Sequence, residues 1–485
     1  MKWLDDVISA ISPKWGYKRA SYREALRTYQ AADTSRLRGN WVPFGDSGPE
    51  SVDGPDRDLI RRRAQQLERD SDIAGAVINA LDRNVIGMGI RPQARVRKAD
   101  GTLDERLNAE IERHWKVWAK KYADITGYGS FADLQHMALR RMVVDGEIVA
   151  HPVMDRPGPY PMAIQMFESA HFDGSRDTGG FHRKRLIQGG VEVNADYRPT
   201  RYHFMALDGT DRTWELPASQ VLHLYRKNRP HQTRGVSPLA NVMGRIRDTD
   251  EFNDAELIAA KVSACFAAFI TRKDGAGAGR FPLATDGTGQ RRRSLEPGMI
   301  ETLAPGEGVD FGNPNRPNAN APDFTKLQMR RVSAGQGLSY EAVSRDLGGV
   351  NYSSGRLGGE EDKSSYRILQ QFMVDHFCEP IWERFVESLW LSGKVALPGF
   401  LDDRERYTAS AWTPPGWAYV NPQQEANADS TRLESGTTTR TRICAAQGLD
   451  FDEIVEERAR EERKMKDLGL SQSSEGGEVG GEGQT

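Results

Sequence analysis

The stretch VSPLANVMGRIRDTDEFNDAELIAAKVSACFAAFITR, Val236 to Arg272, decides how the chain is read. Ser237-Pro238 is a strong helix start, Ser at the N-cap and Pro at the first helical position. After Gly244 no Gly or Pro interrupts the run until Gly275. The spacing predicts one helix over 238–270, ~50 Å long at about 1.5 Å per residue. Its first half carries Asp248, Asp250, Glu251, Asp254 and Glu256; its second half is almost all small or apolar. A helix that is apolar all round needs neighbours on more than one side.

Upstream, residues 20–55 are polar and Gly/Pro-punctuated and read as an extended arm. From Asp56 apolar residues recur at steps of three and four, with Asp70-Ser71-Asp72 offering N-cap oxygens between two helices. Ile90–Val96 reads as a strand and 103–120 as a helix. Ser130 and Asp133 have capping-box spacing and open a helix over 131–144. Residues 145–230 alternate short apolar runs with Gly, Pro and Asp, the pattern of several strands. The whole is α+β.

Downstream, 271–325 is rich in Gly, Pro, Asn and Arg, with one strand near Met299–Leu303. Leu327–Leu347 reads as a second helical region, followed by the Gly-rich run GGVNYSSGRLGG at 348–359. A third helix carries Ile368, Leu369, Phe372, Met373, His376 and Phe377 on its apolar face and bends or ends near Pro380. Trp412–Pro422 reads as a connector and 424–468 as helices. Ser471–Thr485 is Gly/Ser/Glu-rich and is expected to be disordered.

The 485 residues include 66 basic and 69 acidic side chains, a net charge of −3, with 38% hydrophobic residues. That balance argues against a protein gripping nucleic acid through an overall basic face, though not against contact with DNA that stays mobile. Cys265, Cys378 and Cys444 are far apart and odd in number. They exclude a disulfide framework or Cys-rich zinc site and fit a reducing compartment. The most apolar run, Ala255–Ile270, is too short and too charged to span a bilayer. Asp5 and Asp6 interrupt the leader MKWLDDVISAISPKW, which is amphipathic rather than a signal peptide.

Signals for catalysis are weak. GAGAGR at 275–280 has the wrong spacing for a dinucleotide loop, and no Walker A sequence exists. Pro322-Asp323 with Glu361-Asp362-Lys363 forms only a loose nuclease pattern. Asp145-Gly146-Glu147 with His151 passes for an acid/base cluster, but a helix-to-strand turn explains the same residues. His376 reads as a core histidine rather than a zinc ligand, and the arginines at 291–293 as a solvated loop. No cofactor or metal site is expected. Long helices, an odd Gly-rich run and a Gly/Pro segment without an active site are the profile of an assembly component.

Five segments resemble the portal proteins of lambda-type tailed phages: 70–93 (DSDIAGAVINALDRNVIGMGIRPQ), 236–272, 295–317 (LEPGMIETLAPGEGVDFGNPNRP), 330–356 (RRVSAGQGLSYEAVSRDLGGVNYSSGR) and 421–454 (NPQQEANADSTRLESGTTTRTRICAAQGLDFDEI). The resemblance covers about residues 55–470. It implies a portal fold with wing, two-helix stem, clip and helical crown, assembled as a ring, commonly of twelve subunits, at one capsid vertex. Mapped here, 1–39 is an N-terminal arm and 40–233 the first part of the wing. The stem helices are 234–270 and 326–347, with the clip at 271–325 between them. A channel loop spans 348–359, the second part of the wing 360–420, the crown 421–470 and the tail 471–485. The implied function is packaging and ejection of double-stranded DNA, without sequence specificity. The implied partners are the terminase large subunit, capsid or scaffold protein and neck proteins, in a virion assembled in the host cytoplasm.

Within that frame Val350, Asn351, Tyr352 and Arg356 are expected to face DNA in the channel loop. Asp248, Asp250, Glu251 and Asp254 are expected to form an acidic channel wall along which DNA slides. The rival readings are a metal-dependent nuclease and a monomeric DNA-binding adaptor.

Overall fold

The computed structural model describes residues 47–182, 185–265, 269–272, 307–310, 320–349, 351–419, 421–468 and Leu470. Contacts divide the chain into one unit ending at Pro55 and another beginning at Asp56. Helix α1, Pro49–Asp70, is followed by α2, Asp72–Val85. The joint falls where the sequence places it: the Ser71 side chain accepts from the Ala74 N–H and starts α2. Strand β1, Arg91–Ala94, and helix α3, Glu105–Lys121, come next. Helix α4, Phe131–Val144, opens on the anticipated capping box, Ser130 and Asp133 each accepting from the other's backbone N–H.

The strand-rich segment supplies β2 (Glu147–Val153), β3 (Ala163–Glu168), β4 (Leu186–Gln188), β5 (Val191–Val193), β6 (Pro199–Met205), β7 (Thr213–Pro217) and β8 (Leu222–Tyr225). They form two antiparallel sheets, ordered β3-β2-β8 and β4-β5-β6-β7. Alternation along β2 sends Ile148 and Ala150 into the main core and Val149 into a second, smaller core with Phe172, Val191, Tyr202 and Phe204. The three-stranded sheet is therefore covered on both faces, and the four-stranded sheet closes the smaller core.

The long helix expected over 238–270 is broken at both ends. Ser237 caps as predicted, its Oγ accepting from the Leu239 N–H. What it starts is one 3₁₀ turn, Pro238–Asn241, closed at Val242. Helix α5 runs from Met243 to Cys265. Phe269–Arg272, at the expected helix end, is strand β9, paired with β10, Glu307–Asp310. An aromatic and two β-branched residues in sequence, Phe269-Ile270-Thr271, favour strand over helix. The strand expected at Met299–Leu303, the GAGAGR run and the arginines at 291–293 lie outside the described residues.

The helix expected over Leu327–Leu347 is two helices, and the first starts earlier. Helix α6 spans Ala321–Gly335 and α7 spans Tyr340–Ser344. Gly337, at a φ of 70°, turns the chain between them, and Ser339 caps α7 through the Ala342 N–H. The run 348–359 is not one loop. Only its first four residues precede helix α8, Tyr352–Met373, whose N-cap Asn351 accepts from the Ser354 N–H at 2.8 Å. Three of its glycines are helical.

After α8 comes a single π turn, Val374–Cys378, and then α9, Glu379–Leu391. Pro380 has no N–H to offer the preceding turn, and Glu379 instead bonds back five residues to Val374 O. This rotation exposes His376, expected in the core, and leaves it against the Phe372 ring at 4.5 Å. Ile368, also expected on the buried face, is 64% exposed. Helix α10 (Arg404–Thr408) and β11 (Ser410–Thr413) follow. Strand β11 turns part of the expected connector into a sheet partner of β1. Three helices complete the described chain: α11 (Pro422–Glu434), α12 (Arg440–Ala446) and α13 (Phe451–Asp467).

The main core is aromatic where α3, α4 and α9 meet. Trp115 lies 5.2 Å from Trp382, and Phe131 stacks on Phe377 at 5.7 Å. Trp118 and Trp382, both fully buried, donate their indole N–H groups to Met162 O and Thr408 O. Among the described residues no helix is long and apolar enough to cross a membrane.

Candidate functional site

The chain enters α5 through a junction built on Glu147. Gly146, at a φ of 92°, turns α4 into β2 and crosses the backbone at Gly235, where a Cβ on either glycine would overlap the other strand. The Glu147 carboxylate is fully buried and accepts from five donors. Oε1 takes the Ser169 hydroxyl at 2.7 Å and both Nε (2.8 Å) and Nη2 of Arg234; Oε2 takes His223 Nε2 at 2.9 Å and the Gly235 N–H at 2.7 Å. The Arg234 guanidinium also lies over the Phe172 ring at 3.7 Å.

Burial alone would raise the Glu147 carboxyl, but Arg234 and His223 outweigh it and hold it well below the ordinary range. Burial lowers His223, against the opposing pull of Glu147, so the imidazole is neutral and donates through Nε2. The helix-to-strand turn that the sequence favours over an acid/base cluster at Asp145-Gly146-Glu147 is present, and His151 hydrogen-bonds Gln220 O, at 2.7 Å, rather than Glu147. His223 and Arg234 carry no local signal: the pairing of β2 with β8 brings in His223, and the segment after β8 returns Arg234 to the carboxylate.

Beyond the junction α5 packs on α6. Arg245 Nη1 donates to Gln328 Oε1 at 2.9 Å, Thr325 Oγ1 to Asn253 Oδ1 at 3.0 Å, and the Phe252 and Phe324 rings lie 4.7 Å apart. At the base a Cβ on Gly335 would sit 2.6 Å from Val242 Cγ1, so the two segments touch there through a missing side chain. At about 100° per residue, Arg245, Thr249 and Phe252 form the face toward α6.

The acids of α5 do not share one stripe. Asp248, Glu251 and Asp254 lie on a ridge of three-residue steps and all three are exposed; Asp248 borders the α6 contact beside Arg245, Phe324 and Gln328, and the ridge turns away from α6 toward Asp254. Glu251 pairs with Arg247 at 2.7 Å. Asp250 is on the other flank, half-buried. Burial raises its carboxyl, a Ser71 hydrogen bond opposes that, and Asp72 and Asp254 add to the rise. Leu257 (54% exposed), Ile258 (60%) and Leu327 (52%) are apolar side chains that this copy does not cover.

The α6–α7 turn and the start of α8 enclose a cleft of about 470 Å³, bordered by Lys326, Arg330, Tyr340, Gly348 and Gly359. Lys326 and Arg330 both lie over the Tyr340 ring, at 5.2 and 5.6 Å. Asp362, the residue between Glu361 and Lys363 of the loose nuclease pattern, is committed to α7: its carboxylate accepts from the Ser339 N–H at 2.7 Å and hydroxyl at 2.6 Å. Of the residues expected to face DNA, Asn351 is the α8 cap and Arg356 is exposed in its first turns. Val350 lies outside the described residues, and Tyr352 is described only as the first residue of α8. Among the described residues no group of three His, Cys, Asp or Glu side chains is placed to hold a metal.

Residues 34–370 match the family model described as phage portal protein, lambda family. A probable portal protein of Halomonas phage phiHAP-1 is 28% identical, covering 92% of this chain and 88% of its own. Portal protein B of Escherichia phage lambda is 22% identical over 87% of each chain. A solved structure, the neck of a native GTA particle computed with C12 symmetry, covers 86% of this chain at 12% identity and a TM-score of 0.45. The family match spans well over half of the residues, and the chain belongs to the lambda family of phage portal proteins.

Proposed function

We propose that this portal protein, a structural component of the phage virion rather than an enzyme, works as a ring of twelve copies at one capsid vertex. Double-stranded DNA is packaged and ejected through that ring, and the terminase, then neck proteins, dock on it. The observation that carries the reading is the uncovered apolar surface of the α5–α6 pair, Leu257, Ile258 and Leu327. Surface of this kind on two long helices calls for neighbours, and identical copies around an axis supply them on both sides. In this reading α5 and α6 are the stem, the part of 271–325 that precedes α6 is the clip, and α11–α13 form the crown. The pairing of β1 with β11 supports joining 40–233 and 360–420 in one wing.

The channel element proposed here is the N-terminal end of α8 with the residues that lead into it, Asn351 and Arg356 being toward the duplex; Val350 and the Tyr352 side chain, expected beside them, lie outside the described structure. The test is packaging into procapsids carrying Arg356→Ala. Normal ring assembly with impaired packaging or retention of DNA is the expected result. Normal packaging and retention would remove Arg356 from the channel.

A further inference from the structure

The segment joining β8 to the Glu147 junction is a basic loop, RKNR at 226–229, with all four residues exposed. Its shape is imposed by Gln232, only 4% exposed. The Gln232 Oε1 accepts from the Asn228 N–H at 2.8 Å and the Arg229 N–H at 3.3 Å, and its Nε2 donates to Arg234 O at 2.8 Å. The Tyr225 hydroxyl donates to Gln232 O at 3.0 Å. On the other side His231 rests on the Tyr197 ring at 4.3 Å, and Tyr197 itself holds a φ of 59°, a costly conformation for an aromatic residue. The fold thus holds three neighbouring cations in a fixed, solvent-facing arrangement. Among the described residues no carboxylate forms an ion pair with Arg226 or Lys227.

Opposite charge is exposed on α5 beyond the same junction. Asp248 and Asp254 form no ion pair among the described residues; they share their ridge with Glu251, which Arg247 already pairs, and Asp254 lies one turn from the exposed Ile258. Arg229 precedes Gly235 by six residues, and Asp248 follows Met243 by five, or about 8 Å along the helix. Rotation about a ring axis preserves height. Each copy's loop is tied to its own junction by six residues, at most about 20 Å of chain, and so stays within that height of its neighbour's junction.

We propose that the 226–229 loop of one copy docks on the Asp248–Glu251–Asp254 ridge of the next, forming a charged clamp between adjacent subunits. The inference rests on the ring reading and names a contact within it. Matched charge and the apolar Ile258 beside the acids favour a second copy over DNA as the loop's partner. In the clamp the ridge acids face a neighbouring subunit and not the channel, while Asp250 lies on the other flank.

The test uses the full chain, sized by light scattering at about 0.1 M salt, where charges interact over roughly 10 Å. The variants are R226E/K227E and D248K/D254K, each first checked for a wild-type far-ultraviolet spectrum and melting curve. Each alone should lower the ring fraction at least about tenfold. Mixed in equal amounts, the two should regain rings, because alternating copies then present opposite charges at every interface. Combining both pairs in one chain should also restore assembly. A wild-type chain that forms no ring overturns the portal assembly itself. Wild-type rings with unimpaired variants overturn the clamp alone. Variants that assemble but lose DNA retention assign the loop to DNA and overturn it, as does loss of assembly that neither mixing nor combination repairs.

Discussion

Glu147→Gln keeps the size of the side chain and removes the charge that Arg234 and His223 answer. Breaking a buried ion pair from one side costs about 3–5 kcal/mol, because the partner charge is left uncompensated. Urea unfolding of the variant should show a loss of that size, whereas a loss below ~1 kcal/mol would mean the junction is held elsewhere. The pH dependence has a definite sign. Glu147 is depressed in the folded state, so its contribution is complete above the unfolded carboxyl value of about 4.3 and is lost as pH falls through the folded value. His223 is also depressed, so the unfolded chain takes up its proton first, from about pH 6.5 downward. Both effects lower stability on acidification. The melting temperature should fall between pH 7 and pH 4 through His223 and fall further below pH 4 through Glu147; a flat profile in the first window would contradict the His223 assignment, and in the second the Glu147 assignment.

Helix α8 shows what local sequence carries and what it does not. Asn351 is the cap, and Asn351→Ala should cost about 1 kcal/mol and speed amide exchange over the first turn of α8. Gly358 and Gly359 have nothing within 4 Å of an added Cβ, so alanine at either should stabilise the helix by about 0.5–1 kcal/mol. Gly349 behaves oppositely: at a φ of 80° its alanine variant is strained. Exchange rates across 348–359 that stay uniformly fast would restore the single-loop reading. The glycine count alone misled that reading, because a capping Asn outweighs helical glycines once the C-terminal part of the helix is packed against the core. Contacts close in sequence were legible: the Ser71 joint, the Ser130–Asp133 box and the Ser237 cap. Contacts that depend on another segment were not. The break at Val242 coincides with its contact to Gly335, and the Glu147 cluster needs β2 beside β8.

For the molecule as a whole, the α+β class and the family were readable, the latter from motifs spread over most of the chain. The placement of acids around α5 was not, since it depends on which face α6 takes. Residues 271–323, most of them outside those described, carry few apolar side chains and are expected to order mainly through neighbouring copies. Slow exchange there in rings but not in monomers would support that expectation. Truncation after Leu470 should leave assembly unchanged, because Ser471–Thr485 contains one apolar side chain, Val479, and so has little to bury. The central claim is that this chain closes into a ring, and the most direct measurement is the mass of the purified full-length protein in solution together with its negative-stain image. A particle of about twelve chain masses with a central hole is the predicted result. A particle of one chain mass, 54.2 kDa, across the accessible concentrations and salts would contradict it.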